Sequence, residues 1–217
     1  MEIEVTIEIL TPIHLGSGQA DVNVDAEIIH DALGFPYFPA KRFKGLLYES
    51  AVEIFEMFDL AGIPTENLST LADLFHREST SAVQLIVPNF YLLPLEEYKK
   101  FCAEWKYLQA TYPNFFEPAD ILNAYTSIRY QTRLEKGVAA EKSLHNMRVL
   151  NSGEKFYGKI ELLNGDAKVI NLLALAIKNI YAAGMKRNRG FGKIDCTANF
   201  AAGTAEKIVA DFFAKEA

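Results

Sequence analysis

The first ten residues, MEIEVTIEIL, constrain the fold more than any other segment. Ile3, Val5, Ile7 and Ile9 alternate with Glu2, Glu4, Thr6 and Glu8. Successive side chains of a strand point to opposite faces, so this pattern predicts a strand with one apolar and one wet face. Such a strand needs partner strands and a second layer over its apolar side. The chain has 217 residues, enough to bury a sizeable core in one domain. Half of the residues are hydrophobic and 23% are charged, which excludes a disordered chain. The acids of the first segment stand where a secretion signal carries base, and the apolar run LLALAI (172–177) is far shorter than a bilayer span. A soluble, cytoplasmic protein without membrane association is expected. Cys102 and Cys196 lie in no metal-ligand spacing and are too few for a disulfide framework.

Further elements follow from periodicity and punctuation. Thr11-Pro12 ends the first strand, HLGSGQ (14–19) is a turn, and an extended piece is expected at 24–30. LGFP (33–36) forces a turn. A helix starts near Arg42, with Leu47, Ala51, Ile54 and Phe58 on one face, and stops at Gly62 and Pro64. A short helix is expected at 67–76, a strand broken by Pro88 at 82–93, and a helix at 95–110. Extended pieces at 126–134 and 144–150 flank the polar stretch RLEKGVAAEKS (133–143), which reads as a long hairpin arm. The chain closes with a strand at 155–163, a helix at 166–182 capped by Gly184, a strand at 191–200 and a helix at 202–215. Without the arm and the helical insert, the order is strand, helix, strand, strand, helix, strand. That order predicts an α+β fold with a ferredoxin-like or RRM-like core. The expected plan is one domain over 1–217, with a helical insertion at about 60–124 and the hairpin at about 126–150. The aromatic motifs of a base-stacking RRM sheet are absent.

Charge is distributed unevenly around a formal net of -6. Residues 1–40 hold seven acids and no Lys or Arg. Bases concentrate in three places: Lys41, Arg42 and Lys44; then Arg129, Arg133, Lys136, Lys142, Arg148, Lys155 and Lys159; then GMKRNRGFGK (184–193). Three basic stretches in an acidic chain point to a shared anionic ligand. In 184–193, Gly184, Gly190 and Gly192 permit left-handed turns whose N–H groups cradle phosphate, and Lys186, Arg187, Arg189 and Lys193 neutralise its charge. The spacing is that of neither a dinucleotide fingerprint nor a P-loop. Lys41, Arg42 and Lys44 stand at a helix start, where free N–H groups also meet phosphate. A second glycine loop, HLGSGQADVNVD (14–25), carries Asp21 and Asp25. A carboxylate there can hold a divalent metal, orient a hydroxyl or act as a base, and spacing alone does not choose. His14, His30, His76 and His145 form no metal-spaced cluster; His14 and His145 sit in polar loops as acid–base candidates.

Read together, TPIHLGSG (11–18), DAEIIHDALGFPYFPAKRFKG (25–45), SIRYQTRLEKGVAAEKSLHNMRVLNSGEKFYGKI (127–160) and GMKRNRGFGKI (184–194) resemble the RAMP superfamily of CRISPR-associated proteins. The resemblance is closest to the crRNA-binding backbone subunit of type III effector complexes, and is poor over 60–124. It implies that Asp25 occupies the position of the target-cleaving aspartate, working with a divalent ion (Mg or Mn) to direct a 2′-hydroxyl onto its own phosphate. It implies that Lys41, Arg42, Lys44, Gly45, Arg129, Arg133, Lys186, Arg187, Arg189, Gly190, Gly192 and Lys193 contact RNA, and that the hairpin is a thumb interrupting the guide–target duplex. Ala40 and Arg42 stand where the family has glycine and serine. The implied partners are guide crRNA, single-stranded target RNA, copies of the same chain and other CRISPR effector subunits. Three alternatives remain open: a subunit that binds RNA without cutting, a metal-independent RNase that processes guides through His14, His30 or His145, and an interaction domain that binds no nucleic acid.

Overall fold

In the computed structural model, residues 1–75 and 82–216 are described, the last two by backbone only. His76 and Arg77, with the end of the helix expected at 67–76, lie outside the described residues. The alternating N-terminal segment forms β1 (Glu2–Ile9), with Ile3, Val5, Ile7 and Ile9 fully buried. β2 (Tyr37–Phe38) leads through Pro39 into α1 (Ala40–Ala61). Proline suits that junction because its fixed φ and missing N–H cost nothing before a first helical turn. Gly62, at φ 67°, ends the helix in the left-handed conformation. After α2 (Leu71–Phe75), Pro88 divides the expected strand into β3 (Gln84–Ile86) and β4 (Phe90–Tyr91). α3 (Leu95–Thr111) and α4 (Pro118–Tyr125) follow.

The hairpin arm is β5 (Thr126–Gln131) paired with β8 (His145–Leu150), its tip carrying β6 (Leu134–Glu135) and β7 (Val138–Ala139). β9 (Lys155–Leu163), α5 (Ala167–Asn179), β10 (Ile194–Phe200), β11 (Gly203–Thr204) and α6 (Ala205–Glu216) complete the chain. The main sheet runs β11-β10-β1-β9-β4-β2, with β3 also on β9, and its pairings are antiparallel. Taking β3 and β4 together as the second core strand, this is the strand order of a ferredoxin-like sheet, as the element order predicts. β3 and β4 lie within the stretch 60–124, so part of that stretch belongs to the sheet.

α5 lies beside both α1 and α6 over the apolar sheet face. Phe38, Phe43, Phe90 and Phe156 pack edge-on or tilted at its centre. Asp166 caps α5 by accepting from the Val169 N–H at 3.0 Å. Buried Ser50 of α1 donates to the Ala176 carbonyl at 2.6 Å, tying the two helices together.

Three local expectations change. The piece at 24–30 forms isolated bridges, such as Gly16 with Ile28, rather than a ladder. α4 has no counterpart in the sequence reading; Pro118 at its start and a capping box between Glu117 and Asp120 explain it. α5 ends at Asn179, short of the expected 182, and Gly184 does not cap it, because Ala182 bridges to Lys193 and Ala183 donates to the Gly192 carbonyl at 2.8 Å. Those bonds draw 181–184 into an extended pairing with 192–194.

Candidate functional site

Residues 184–193 are set against the strand end that follows β1. Leu10 and Thr11 donate to the Lys193 carbonyl at 2.9 and 3.2 Å, Gly192 to Pro12 at 3.0 Å, and Met185 to His14 at 3.1 Å. Gly184 has φ 77°, and a Cβ there would stand 2.7 Å from the His14 carbonyl oxygen. Gly192 has φ 74°, and a Cβ would collide with the Ala183 carbonyl. Both backbones approach too closely for a side chain. Between them Lys186, itself left-handed at φ 60°, leads into a 3₁₀ turn at Arg187–Arg189. The bases are therefore carried on a short, heavily bonded lobe.

Two adjoining depressions share Gly184 and Arg187. One, of about 350 Å³, also takes Leu15, Gly16, Arg42, Gly45 and Glu49 into its walls. The other, of about 750 Å³, is lined by Tyr181, Lys186, Asn188, Arg189 and Lys193. The Arg42 guanidinium donates to the Gly16 carbonyl, and Lys186 donates to Gln131 of β5. Thus the α1 start, the first glycine loop, the second glycine loop and the hairpin stem meet in one region. Burial, reinforced by the nearby Arg189 charge, holds the Lys186 ammonium below its ordinary pKa. Arg187 has only a long contact to Glu49, 3.8 Å, while Arg189 and Lys193 make no ion pair among the described residues. This is a surface of uncompensated positive charge.

The remaining sequence candidates line neither depression, and some of them are paired with other groups. Lys41 and Lys44 line neither depression, and Gly190 has open space around it. Arg129 is exposed on β5, opposite Met147, and Arg133 at the hairpin tip pairs with Glu135 at 2.7 Å. Three further bases of the central basic stretch are neutralised. Lys155 pairs with Glu8 at 3.1 Å, and Lys159 with Glu4 at 3.0 Å, across the outer face of the sheet. Arg148 is buried and its Nε bonds Glu27 at 2.9 Å, while Asn123 and Thr126 accept from its Nη1. No local sequence signal marks that pair, whose partners are 121 residues apart. His14 is not a polar-loop side chain: it is buried, with Nδ1 2.7 Å from the Arg148 carbonyl oxygen. His145 and His30 are exposed and bond nearby backbone oxygens.

Asp25 is exposed beside the outer end of the hairpin stem, at Asn146 of β8. Its Oδ2 accepts from the Asn146 backbone N–H at 2.8 Å, while its own N–H donates to Asn146 Oδ1 at 2.8 Å. The reciprocal bonds fix the first glycine loop to β8. Among the described residues no three His, Cys, Asp or Glu side chains converge to hold a metal ion. A divalent ion at Asp25 would need further oxygen ligands besides this carboxylate. Asp31 serves the turn instead, accepting from Leu33 and Phe35 N–H groups at 2.9 Å and from the Tyr98 hydroxyl of α3. Burial, then that carboxylate, pushes the Tyr98 phenol well above its ordinary pKa.

Among the described residues no helix is long and apolar enough to cross a membrane. The fold matches solved structures over almost its whole length. A chain of a type III-B Cmr-beta complex, determined by cryo-electron microscopy with cognate target RNA bound, superposes with TM-score 0.62 at 11% identity, covering 96% of this chain and 99% of that one. A chain of the type III-B Cmr-beta apo state gives TM-score 0.61 at 12% identity, covering 90% and 96%. At such identities the likeness concerns the fold. No curated protein sequence matches the chain. The RAMP superfamily model, by contrast, matches residues 6–195, a span that runs from β1 through both glycine loops into β10. On that match, and with a ferredoxin-like sheet beneath the loops, the chain belongs to the RAMP superfamily.

Proposed function

We propose that the protein is an RNA-binding backbone subunit of a type III CRISPR effector complex, with a structural rather than a cutting role. The observation that carries this is the convergence of Arg42, Gly45, Gly184 and Arg187 around one depression, with Lys186 joining it to the hairpin. Membership of the RAMP superfamily supports it, as does the likeness to a chain of a complex bound to target RNA. Arg187, Arg189 and Lys193 neutralise phosphates, and backbone N–H groups of the left-handed lobe add donors without reading sequence. Arg42 and Gly45 extend the track along α1. Guide crRNA is the ligand on this track, target RNA pairs with it, and copies of the chain or other effector subunits flank it.

Asp25-dependent target cleavage with a divalent ion is the second reading. Its support is the exposed position of Asp25 beside the hairpin. The bond to Asn146 and the absence of converging ligands among the described residues favour a positioning role instead.

Arg187→Ala with Arg189→Ala should weaken binding to RNAs of unrelated sequence alike. The slope of log affinity against log salt should fall by about 0.7 per lost contact on a single strand. Unchanged affinity and slope in a folded double variant would overturn the assignment. For the second reading, reconstituted complexes carrying wild-type or Asp25→Asn chain should bind target equally and show the same low cutting. A loss of roughly 100-fold in cutting on Asp25→Asn would restore the catalytic role.

A further inference from the structure

Tyr181 is 69% exposed, although it stands two residues past a buried helix and begins a ladder of backbone bonds. Its carbonyl accepts from Ile194 at 3.0 Å, and the next residue bridges to Lys193. The backbone is thus fixed while the ring is left in solvent. The ring takes part in no aromatic contact among the described residues, unlike the tyrosines at 37, 91 and 98. It also stands in the wall of the larger depression, beside Lys186, Arg187, Asn188, Arg189 and Lys193, where the lining holds no acid. Tyr107 and Tyr130 are about as exposed, but of the three only Tyr181 lines the basic depression. A large apolar ring left in water costs free energy unless something covers it.

Single-stranded nucleic acid offers the matching chemistry: a charged backbone and a flat base from the same nucleotide unit. Proteins that hold it without sequence preference pair a cationic groove with an aromatic on which a base stacks. We propose that Tyr181 is a stacking platform for one unpaired base of bound RNA, with the phosphates beside it held by Lys186, Arg189 and Lys193. The inference rests on the RNA-binding reading and adds a contact to it: a site that senses the presence of a base, not only of phosphate. The bonded backbone fixes where the ring is presented, so side-chain freedom is what is lost when a base covers it. The phosphate that arrives with the base brings a counter-charge to Lys186, whose ammonium is held below its ordinary pKa by burial and then by Arg189.

The test uses the purified full chain and two probes: a fluorescent oligoadenylate, and a strand of the same length with abasic riboses. Tyr181→Phe should bind oligoadenylate like wild type. Tyr181→Ala should bind it roughly tenfold more weakly, with the salt slope unchanged and no further loss on the abasic strand. Three results would overturn the platform. If Tyr181→Ala binds oligoadenylate as wild type does, while Arg187→Ala with Arg189→Ala weakens it, the platform is wrong and the RNA-binding reading stands. If Tyr181→Ala changes the sedimentation of the chain but not its RNA affinity, the ring is a protein contact. If the wild type binds neither strand, the RNA-binding reading itself fails and takes the platform with it.

Discussion

Arg148 shows how a single residue can mislead a count of charges. It sits among the bases of 126–159, yet its guanidinium is spent on Glu27, Asn123 and Thr126 inside the protein. Glu27 in turn accepts from the Ile28 N–H at 2.8 Å, so the pair clamps the first glycine loop to β8. Two charges taken out of water tolerate each other only as a pair. Glu27→Gln should therefore cost about 3–5 kcal/mol by leaving a buried, uncompensated guanidinium. Glu27→Leu with Arg148→Met should recover at least half of that loss. Urea midpoints of wild type and the two variants measure both effects; a Glu27→Gln chain as stable as wild type would show that the clamp carries no load.

At the scale of the element, the lobe of 184–193 is the part most sensitive to small side chains. Gly192→Ala places a methyl group against the Ala183 carbonyl at a backbone angle that alanine resists. Gly190→Ala meets open space at a similar angle, φ 81°. The first substitution should cost more than the roughly 1–2 kcal/mol of a left-handed alanine, the second about that amount. RNA affinity should follow the same ranking while thermal unfolding separates the local from the global cost. The lobe was readable in sequence because glycines and bases alternate within ten residues and no acid intervenes. β1, α1 and the Asp166 start of α5 were equally readable, since period, proline and cap are local signals. The pairing of Lys155 and Lys159 with glutamates of β1 was not, because strand register decides it. Nor was the burial of His14, which depends on β8 arriving from more than a hundred residues away. Tyr181 looked like the end of an apolar helix until Lys193 and Ile194 claimed its backbone neighbourhood.

On the scale of the whole molecule, the sheet divides the protein electrostatically. Among the described residues its outer face carries Glu2, Glu4, Glu8, Glu161 and Asp195 against Lys155 and Lys159, while the glycine lobe concentrates base. A polyanion is repelled by one side and drawn to the other, which reconciles an acidic net charge with an anionic ligand. The interior can be tested through Cys196 on β10, whose thiol is pushed up to about 12 from an ordinary 9.0, chiefly by burial and then by Asp195. A raised folded-state pKa means that the folded protein holds this proton more tightly than the unfolded chain. That contribution to stability is complete below pH 9 and is lost as pH rises toward 12. Between those values unfolding free energy should fall with pH by at most about 1.4 kcal/mol per unit from this group, and Cys196→Ala should remove that part of the slope. In native protein at neutral pH a thiol reagent should reach Cys102, which is partly exposed, before Cys196. The stapling of 184–193 along residues 10–14 has a mechanical side as well. Those residues continue β1, which lies between β10 and β9 inside the sheet. A pull applied at the lobe therefore enters the protein lengthwise down an interior strand. The ladders on both sides resist it in shear, many bonds at once, where a loop hung from an edge would peel away one bond at a time.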